Sequence, residues 1–169
     1  MREQYHVEVT KDYLVFSAAH FITYDGDICE RIHGHNYRVT AEVHGTLDEN
    51  HYVVDFIVVR DALQRIVAAW DHHMLLPTQH PEIRVQTVSD ASFGDQIEVT
   101  FRDRRWMFPR EDCILLEIPN TTTELLARLI GQNLLEAIET ETSTRPSEIR
   151  LAVDENHGQW GVWHYLSDP

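Results

Sequence analysis

The sequence predicts an α+β fold in which an antiparallel sheet carries two helices on one face. Several short segments alternate apolar and polar residues, which is the pattern of half-buried strands. Two longer segments repeat their apolar residues with helical periodicity. The resulting order, β-β-α-(β-β)-α-β-β, separates strand pairs by helices and is typical of α+β proteins. Because the chain has 169 residues, we expect a single domain over 1–169.

The first half of the chain contains two predicted strands and one predicted helix. Residues 4–16 alternate and then become apolar, which predicts a strand, whereas the polar, glycine-containing stretch 17–34 predicts a loop. Residues 35–46 alternate again and predict a second strand, antiparallel to the first. Residues 55–70 change to helical periodicity, with Asp55 as the expected N-cap. The apolar stripe of this helix consists of Phe56, Val59, Leu63, Ile66, Val67 and Trp70.

The second half contains an insertion, a second helix and a final strand pair. The insertion covers about 77–118 and includes a β-hairpin with a charged connection. The predicted elements are, in order, a loop (77–95), the two strands of the hairpin (97–101 and 113–118), a helix capped by Thr122 or Thr123 that ends near Thr140, and two strands (148–154 and 160–166).

Composition and charge exclude several classes of function. Lysine and arginine number 14 against 28 aspartates and glutamates, so the formal charge is −14 at pH 7. This balance argues against a protein that binds nucleic acid or an anionic membrane. Two cysteines, Cys29 and Cys113, are too few for a disulfide scaffold. The N-terminus lacks the apolar segment of a secretory signal and no apolar run reaches the length of a membrane span, so we expect a cytoplasmic protein.

The 11 histidines are more than a chain of this length usually has, and two of them predict a metal site. His33 and His35 enter the second strand at i and i+2, so their side chains lie on one face. Their imidazoles can converge on one ion at about 2.0–2.1 Å, as zinc requires. Gly34 lets the backbone pass close to a ligand, and His20, at the end of the first strand, is the best candidate for a third ligand. The alternative is a pair of histidines on a solvated strand edge.

Cys29 lies four residues before His33 and has three alternative roles. As a structural residue it is a small buried hydrophobe. As a nucleophile or base it needs a neighbour that favours the thiolate, which a nearby zinc site helps to supply. As a fourth zinc ligand it closes the site and makes it structural. Cys113 lies in an apolar, strand-like run, so we expect it to be buried.

Acid–base candidates follow the first helix and the penultimate strand. Asp71 and His72 place a carboxylate beside an imidazole, a common acid–base arrangement. The alternative is a helix C-terminus stabilised by histidine. Glu155 ends a β-like run and is either a surface acid or a carboxylate that accepts hydrogen bonds from a guanidine-like ligand edge.

Six motifs in order along nearly the whole chain resemble the 6-pyruvoyltetrahydropterin synthase / 6-carboxytetrahydropterin synthase family. They are FSAAH (16–20), CERIHGHNYRVTAEVHG (29–45), VVDF (53–56), DHHML (71–75), TTTELLA (121–127) and VDEN (153–156). The resemblance implies the tunnelling fold (T-fold), in which the sheets of several subunits join into a barrel, usually in a homohexamer built from two trimers.

The resemblance also implies roles for individual residues. They are His20, His33 and His35 as ligands of one zinc ion per subunit; Cys29, Asp71 and His72 as the proton-transfer groups; Glu155 as the anchor of the pterin ring; and Thr122, Thr123 and Glu124 as lining of the pterin pocket. Iron or nickel is also compatible with three histidine ligands.

The implied substrate is 7,8-dihydroneopterin triphosphate. The Cys-x3-His-x-His spacing resembles the carboxy-forming bacterial enzymes of 7-deazaguanine and queuosine synthesis, which release acetaldehyde. The alternatives are the pyruvoyl product of the biopterin branch, retro-aldol cleavage of the side chain, and a non-catalytic zinc- or pterin-binding protein. A chain of charge −14 needs a local basic patch for the triphosphate, and Lys11 is its only lysine.

The chain departs from the family pattern in two places. The segment between DHHML and TTTELLA is longer than family members typically show, and Thr121–Glu124 lacks the proline of many bacterial relatives. The charged tip of the predicted hairpin either modifies an interface, covers the site entrance or is a plain surface insertion.

Overall fold

The computed structural model describes residues 3–26 and 28–168, which form twelve strands, two α-helices and a one-turn 3₁₀ helix at Arg110–Asp112. The strands are β1 (Tyr5–Val9), β2 (Val15–His20), β3 (Thr23–Tyr24), β4 (Ile28–Cys29), β5 (His33–Gly45), β6 (His73–Pro77), β7 (Arg84–Asp90), β8 (Gly94–Phe101), β9 (Arg104–Pro109), β10 (Cys113–Leu116), β11 (Glu148–Asp154) and β12 (Trp160–Leu166). The helices are α1 (Phe56–Trp70) and α2 (Thr123–Thr142).

The chain folds into two compact units, each made of separate segments. The first unit contains the chain up to Phe16, Asn36–Ala69 and the chain from Thr123 onward, and the second contains Ser17–His35 and Trp70–Thr122. Strands β2 and β5 have residues in both. The expectation of a single domain over 1–169 with an insertion at about 77–118 stays a prediction.

The first unit is built on antiparallel strands. Strand β5 pairs with β1 and with β11, and β11 pairs with β12. The alternation that predicted β5 is confirmed, because one of its faces is buried and the other is more exposed. Its buried residues are Tyr37, Val39, Ala41 and Val43. The two final strands have the predicted bounds.

The helices of the first unit begin where their capping residues predicted. The Asp55 carboxylate accepts a hydrogen bond from the Ile57 backbone N–H at 2.8 Å, which is an N-cap contact. The α1 stripe is confirmed at Val59, Leu63 and Val67, which are buried. Phe56, predicted to face inward, is instead 61% exposed, since it lies at the first position of α1.

Helix α2 lies directly against β12. A Cβ at Gly161 would lie 2.6 Å from the Thr123 carbonyl carbon and 2.7 Å from the Glu124 backbone nitrogen. Only glycine permits this approach, so Gly161 fixes where the helix begins relative to the strand. Within the described residues, neither helix is long and apolar enough to cross a membrane.

The second unit contains parallel as well as antiparallel strands. Strand β6 pairs in parallel with β2 and with β10, while β7, β8 and β9 form a separate antiparallel sheet. We call this three-stranded sheet the inserted sheet. One side of the inserted sheet contributes to an apolar cluster in the second unit, which consists of Phe21, Met74, Leu76, Ile83, Ile97, Val99, Phe101 and Cys113.

The structure corrects the predictions for residues 4–16 and 17–34. The single strand predicted over 4–16 is two strands, because the chain turns after Val9 and the Leu14 backbone N–H donates to the Lys11 carbonyl. The predicted loop 17–34 contains the short hairpin of β3 and β4.

The predicted hairpin of 97–101 with 113–118 is wrong in its pairing. Strand β8 pairs with β9 and β7, and β10 joins β6 instead. The charged residues of β9 concealed its alternation of half-buried and exposed side chains. Arg104, Trp106 and Phe108 are half-buried on one face of this strand. Strand β7 lies inside the predicted loop 77–95 and its residues are half-buried at most, so its sequence is polar.

Candidate active site

Three histidine side chains meet in the second unit. His20 ends β2, His33 begins β5 and His35 follows two residues later, on the same face of that strand. One ring nitrogen of each lies within 4.8 Å of the others. The Nε2 atoms of His20 and His33 are 3.2 Å apart. The structure therefore brings together the three predicted metal ligands, and this cluster can hold a metal ion.

Two backbone carbonyls determine which ring nitrogens face the centre of the cluster. His20 Nδ1 lies 3.0 Å from the Thr121 carbonyl oxygen, and His33 Nδ1 lies 2.9 Å from the Arg31 carbonyl oxygen. Because a carbonyl only accepts, each Nδ1 carries a proton, and in the neutral ring that a metal binds, Nε2 then keeps a lone pair. Two lone pairs at 3.2 Å repel each other unless a cation lies between them. Tetrahedral zinc with bonds of about 2.0–2.1 Å holds its ligand nitrogens roughly 3.3 Å apart, so the separation of the His20 and His33 donors fits that ion.

Burial keeps His20 in the form that a metal needs. Its side chain is 1% exposed, and this burial lowers the pKa of His20 to about 4. The imidazole is therefore neutral at pH 7. Between the other two histidines, a Cβ at Gly34 would lie 3.0 Å from the Ala18 carbonyl oxygen. Gly34 thus permits close approach to the backbone of β2.

Cys29 lies at the end of β4, half-buried and with a free thiol. Its Sγ donates to the Glu30 carbonyl oxygen at 3.6 Å. Burial raises the pKa of the Cys29 thiol, while the positive charge of Arg104 acts in the opposite direction. Cys113 is buried as predicted, and burial raises its pKa to about 11.

Asp71 and His72 form a hydrogen-bonded pair after α1. His72 Nδ1 lies 2.9 Å from Asp71 Oδ2, and the His72 side chain is 81% exposed. Asp71 Oδ1 accepts from the Ser17 backbone N–H at 2.7 Å, a bond that lowers the pKa of Asp71. The His72 backbone N–H in turn donates to the Ser17 carbonyl. The carboxylate is therefore fixed to β2 while the imidazole reaches water.

The proposed substrate-binding residues lie in both units. Thr122 belongs to the second unit, next to Thr121, whose carbonyl contacts His20. Thr123 and Glu124 begin α2 in the first unit, beside Gly161. Gly161 is the register partner of Val153 on β11. Glu155 follows β11 in the same unit, and its backbone N–H donates to the Gln159 carbonyl.

Sequence reasoning missed residues that support the site from a distance. The Asn120 side chain holds the backbone of Thr23 through its oxygen at 3.3 Å and its nitrogen at 2.9 Å. The Thr121 hydroxyl donates to the Phe21 carbonyl. These contacts join segments about a hundred positions apart. The only signal for them in the sequence is that Thr121 begins the TTTELLA motif and Asn120 precedes it.

Comparison with known proteins identifies a family and its relatives. The model of the family "6-pyruvoyl tetrahydropterin synthase" matches residues 8–164. The 6-carboxy-5,6,7,8-tetrahydropterin synthase of Bacillus subtilis is 37% identical over 161 residues, which cover 94% of this chain and 86% of that protein.

Solved structures match over the full chain. The 6-pyruvoyl tetrahydropterin synthase of Plasmodium falciparum has a TM-score of 0.87 at 28% identity, covering 98% of this chain and 100% of its own. The Plasmodium vivax enzyme has a TM-score of 0.86 at 26% identity with the same coverage. The predicted α+β T-fold with two helices is confirmed by these matches. The sheet was predicted to be antiparallel, but β6 pairs in parallel with β2 and β10. The chain belongs to the 6-pyruvoyl tetrahydropterin synthase family, whose members are pterin synthases.

Proposed function

We propose that the chain is a zinc-dependent 6-carboxy-5,6,7,8-tetrahydropterin synthase that acts on 7,8-dihydroneopterin triphosphate. The convergence of the His20 and His33 Nε2 atoms at 3.2 Å, with His35 as the third imidazole, carries this proposal. The name of the Bacillus subtilis relative and the Cys-x3-His-x-His spacing support the carboxy-forming reaction. The proposed reaction belongs to the 7-deazaguanine/queuosine pathway and takes place in the cytoplasm.

The three histidines would hold the metal, and zinc suits three neutral imidazoles. When bound there, zinc supplies Lewis-acid polarisation of the side-chain oxygens of the substrate, which makes the adjacent C–H groups more acidic. With three protein ligands, one coordination position remains for the substrate.

Cys29 is the proposed base that removes a proton from the substrate side chain. As a thiolate it needs a favourable charge nearby, and Arg104 supplies one. His72 is proposed to move the second proton. Asp71 holds its Nδ1, and the 81% exposure of the imidazole lets it exchange that proton with water.

Glu155 is the proposed anchor of the pterin ring. A carboxylate accepts two parallel hydrogen bonds from the pterin N3–H and 2-amino group, which fixes the ring in one orientation. The pocket that receives the pterin ring is proposed to be lined by Thr122, Thr123 and Glu124.

A second candidate is the pyruvoyl-forming reaction, which begins with the same loss of triphosphate. The TM-score of 0.87 with the Plasmodium falciparum enzyme favours it. The two reactions differ in whether the side chain is finally cleaved.

The test is incubation of the metal-replete protein with 7,8-dihydroneopterin triphosphate, followed by mass spectrometry of the products. Carboxytetrahydropterin with acetaldehyde is the expected result. A pyruvoyl product would replace the carboxy-forming proposal by the second candidate. Absence of any product from protein with bound metal would overturn both.

A further inference from the structure

The inserted sheet directly contacts the segment that carries Cys29. Arg104, the first residue of β9, donates from Nη1 to the carbonyl oxygen of Cys29 at 2.7 Å and to that of Glu30 at 3.1 Å. These residues lie 75 and 74 positions apart in the chain. A single guanidinium nitrogen therefore ties two consecutive carbonyls at the point where β4 ends.

Arg104 is itself held in place by stacked aromatic rings. Its guanidinium carbon lies 4.6 Å from the centre of the Trp106 ring, on the same face of β9. Trp106 stacks on Phe21 with ring centres 5.1 Å apart and planes at 20°. Phe21 follows the metal-ligand candidate His20 in the chain and is fully buried. The guanidinium is thus oriented by a ring that stacks on the residue following His20.

Local backbone pairing holds the Cys29 segment only weakly. The hairpin of β3 and β4 has two residue pairs, Thr23 with Cys29 and Tyr24 with Ile28. One further bond runs from the Glu30 backbone N–H to the Ile22 carbonyl at 3.0 Å. Such a short hairpin is marginal by itself. Further support comes from Asn120, which holds Thr23, from the apolar cluster against which Cys29 packs, and from Arg104 of the inserted sheet.

We propose that Arg104 is a positioning residue for Cys29, so that the inserted sheet forms part of the support of the active site. This inference rests on the proposed function, in which Cys29 is the base. By holding the carbonyls of Cys29 and Glu30, Arg104 fixes the backbone from which the thiol projects and thereby the direction in which it approaches the substrate. A misplacement of about 1 Å in such a group can lower a rate about 100-fold.

The experiment compares three variants of the full-length, metal-loaded protein. Arg104→Met removes the hydrogen-bond donors and keeps an unbranched apolar side chain, while Arg104→Lys retains one donor nitrogen. Arg105→Met is the matched control, because Arg105 is the next residue on β9, is exposed and pairs with Glu98. For each variant, kcat, KM, bound metal and the hydrogen exchange of the backbone over residues 22–32 are measured.

We expect Arg104→Met to lower kcat about 10- to 100-fold while KM changes less than about twofold and bound metal is unchanged. Exchange should accelerate over 22–32, and Arg104→Lys should recover part of both effects. Arg105→Met should behave as the wild type.

Two outcomes would overturn the inference. One is wild-type kcat and wild-type exchange in Arg104→Met. The other is faster exchange throughout the second unit, which would indicate a general role in stability. If the wild-type protein forms no product, the proposed function fails. The exchange measurement still tests the role of Arg104 in that case, because unchanged exchange over 22–32 in Arg104→Met would show that Arg104 does not hold this segment.

Discussion

At the residue scale, two backbone carbonyls decide how the histidine cluster is arranged. The His-x-His spacing predicted that His33 and His35 share a face, and the strand end at His20 predicted the third imidazole. The carbonyl partners of the Nδ1 atoms, at Thr121 and Arg31, could not be predicted, because their positions depend on the tertiary path of the chain. Residue types and local spacing therefore predict the ligand set, while tertiary structure sets the tautomers.

Replacement of Asp71 by asparagine tests the proton-transfer pair. An amide still accepts from the Ser17 N–H but carries no negative charge to stabilise a proton that His72 takes up during transfer. We expect turnover to fall roughly 10- to 100-fold with little change in substrate binding, as measured by steady-state kinetics. Asp61→Asn is the control, since Asp61 is a half-buried residue of α1 that pairs with Arg60. Equal turnover in both variants would argue that Asp71 has no part in proton transfer.

At the element scale, the helices and the final strand pair could be predicted, whereas the pairing of the inserted segment could not. Helix α1 and strand β5 each bury one face, and this produces the apolar stripe of the helix and the alternation of the strand. In contrast, β10 pairs in parallel with β6 across a long connection, so adjacency in sequence wrongly favoured a hairpin. Register between distant strands depends on packing, which a single sequence expresses only weakly.

Gly161→Ala tests the contact between β12 and the start of α2. The added Cβ would meet Thr123 and Glu124 backbone atoms at 2.6 and 2.7 Å, so the helix must shift. We expect the free energy of unfolding to fall by about 1–3 kcal/mol, measured by urea denaturation. Val162→Ala, at a 38% exposed neighbour on the same strand, should have a smaller effect. Equal stability of the two variants would contradict the close packing.

At the scale of the whole molecule, the buried histidine makes the metal-free protein sensitive to acid. The pKa of His20 is about 4 in the folded chain, against about 6.5 for an unfolded histidine. Between these values the unfolded state binds more protons, so the free energy of unfolding falls as the pH falls from about 6.5 to about 4.

We expect this effect to remove up to about 3 kcal/mol in the metal-free protein. Urea denaturation at pH 7 and at pH 4.5 measures it, with His20→Asn as the reference for all other titrating groups. The wild type should lose more stability than the variant over this interval. The same loss in both proteins would rule out His20 as the cause.

Assembly is the second property of the whole molecule. Strand β12 pairs only with β11 among the described residues, which leaves its outer edge available for a strand of another subunit. We expect a homohexamer, with a mass six times the 19.8 kDa of the chain, in size-exclusion chromatography with light scattering. A monomer would contradict this expectation.

The central claim is that the histidine cluster holds a metal for a reaction in which Cys29 is the base. The most direct test measures product formation from 7,8-dihydroneopterin triphosphate and bound metal on the same samples of wild type and Cys29→Ala. We predict one metal per chain in both proteins and product formation lowered at least about 100-fold in the variant. Equal product formation by the two proteins would contradict the account.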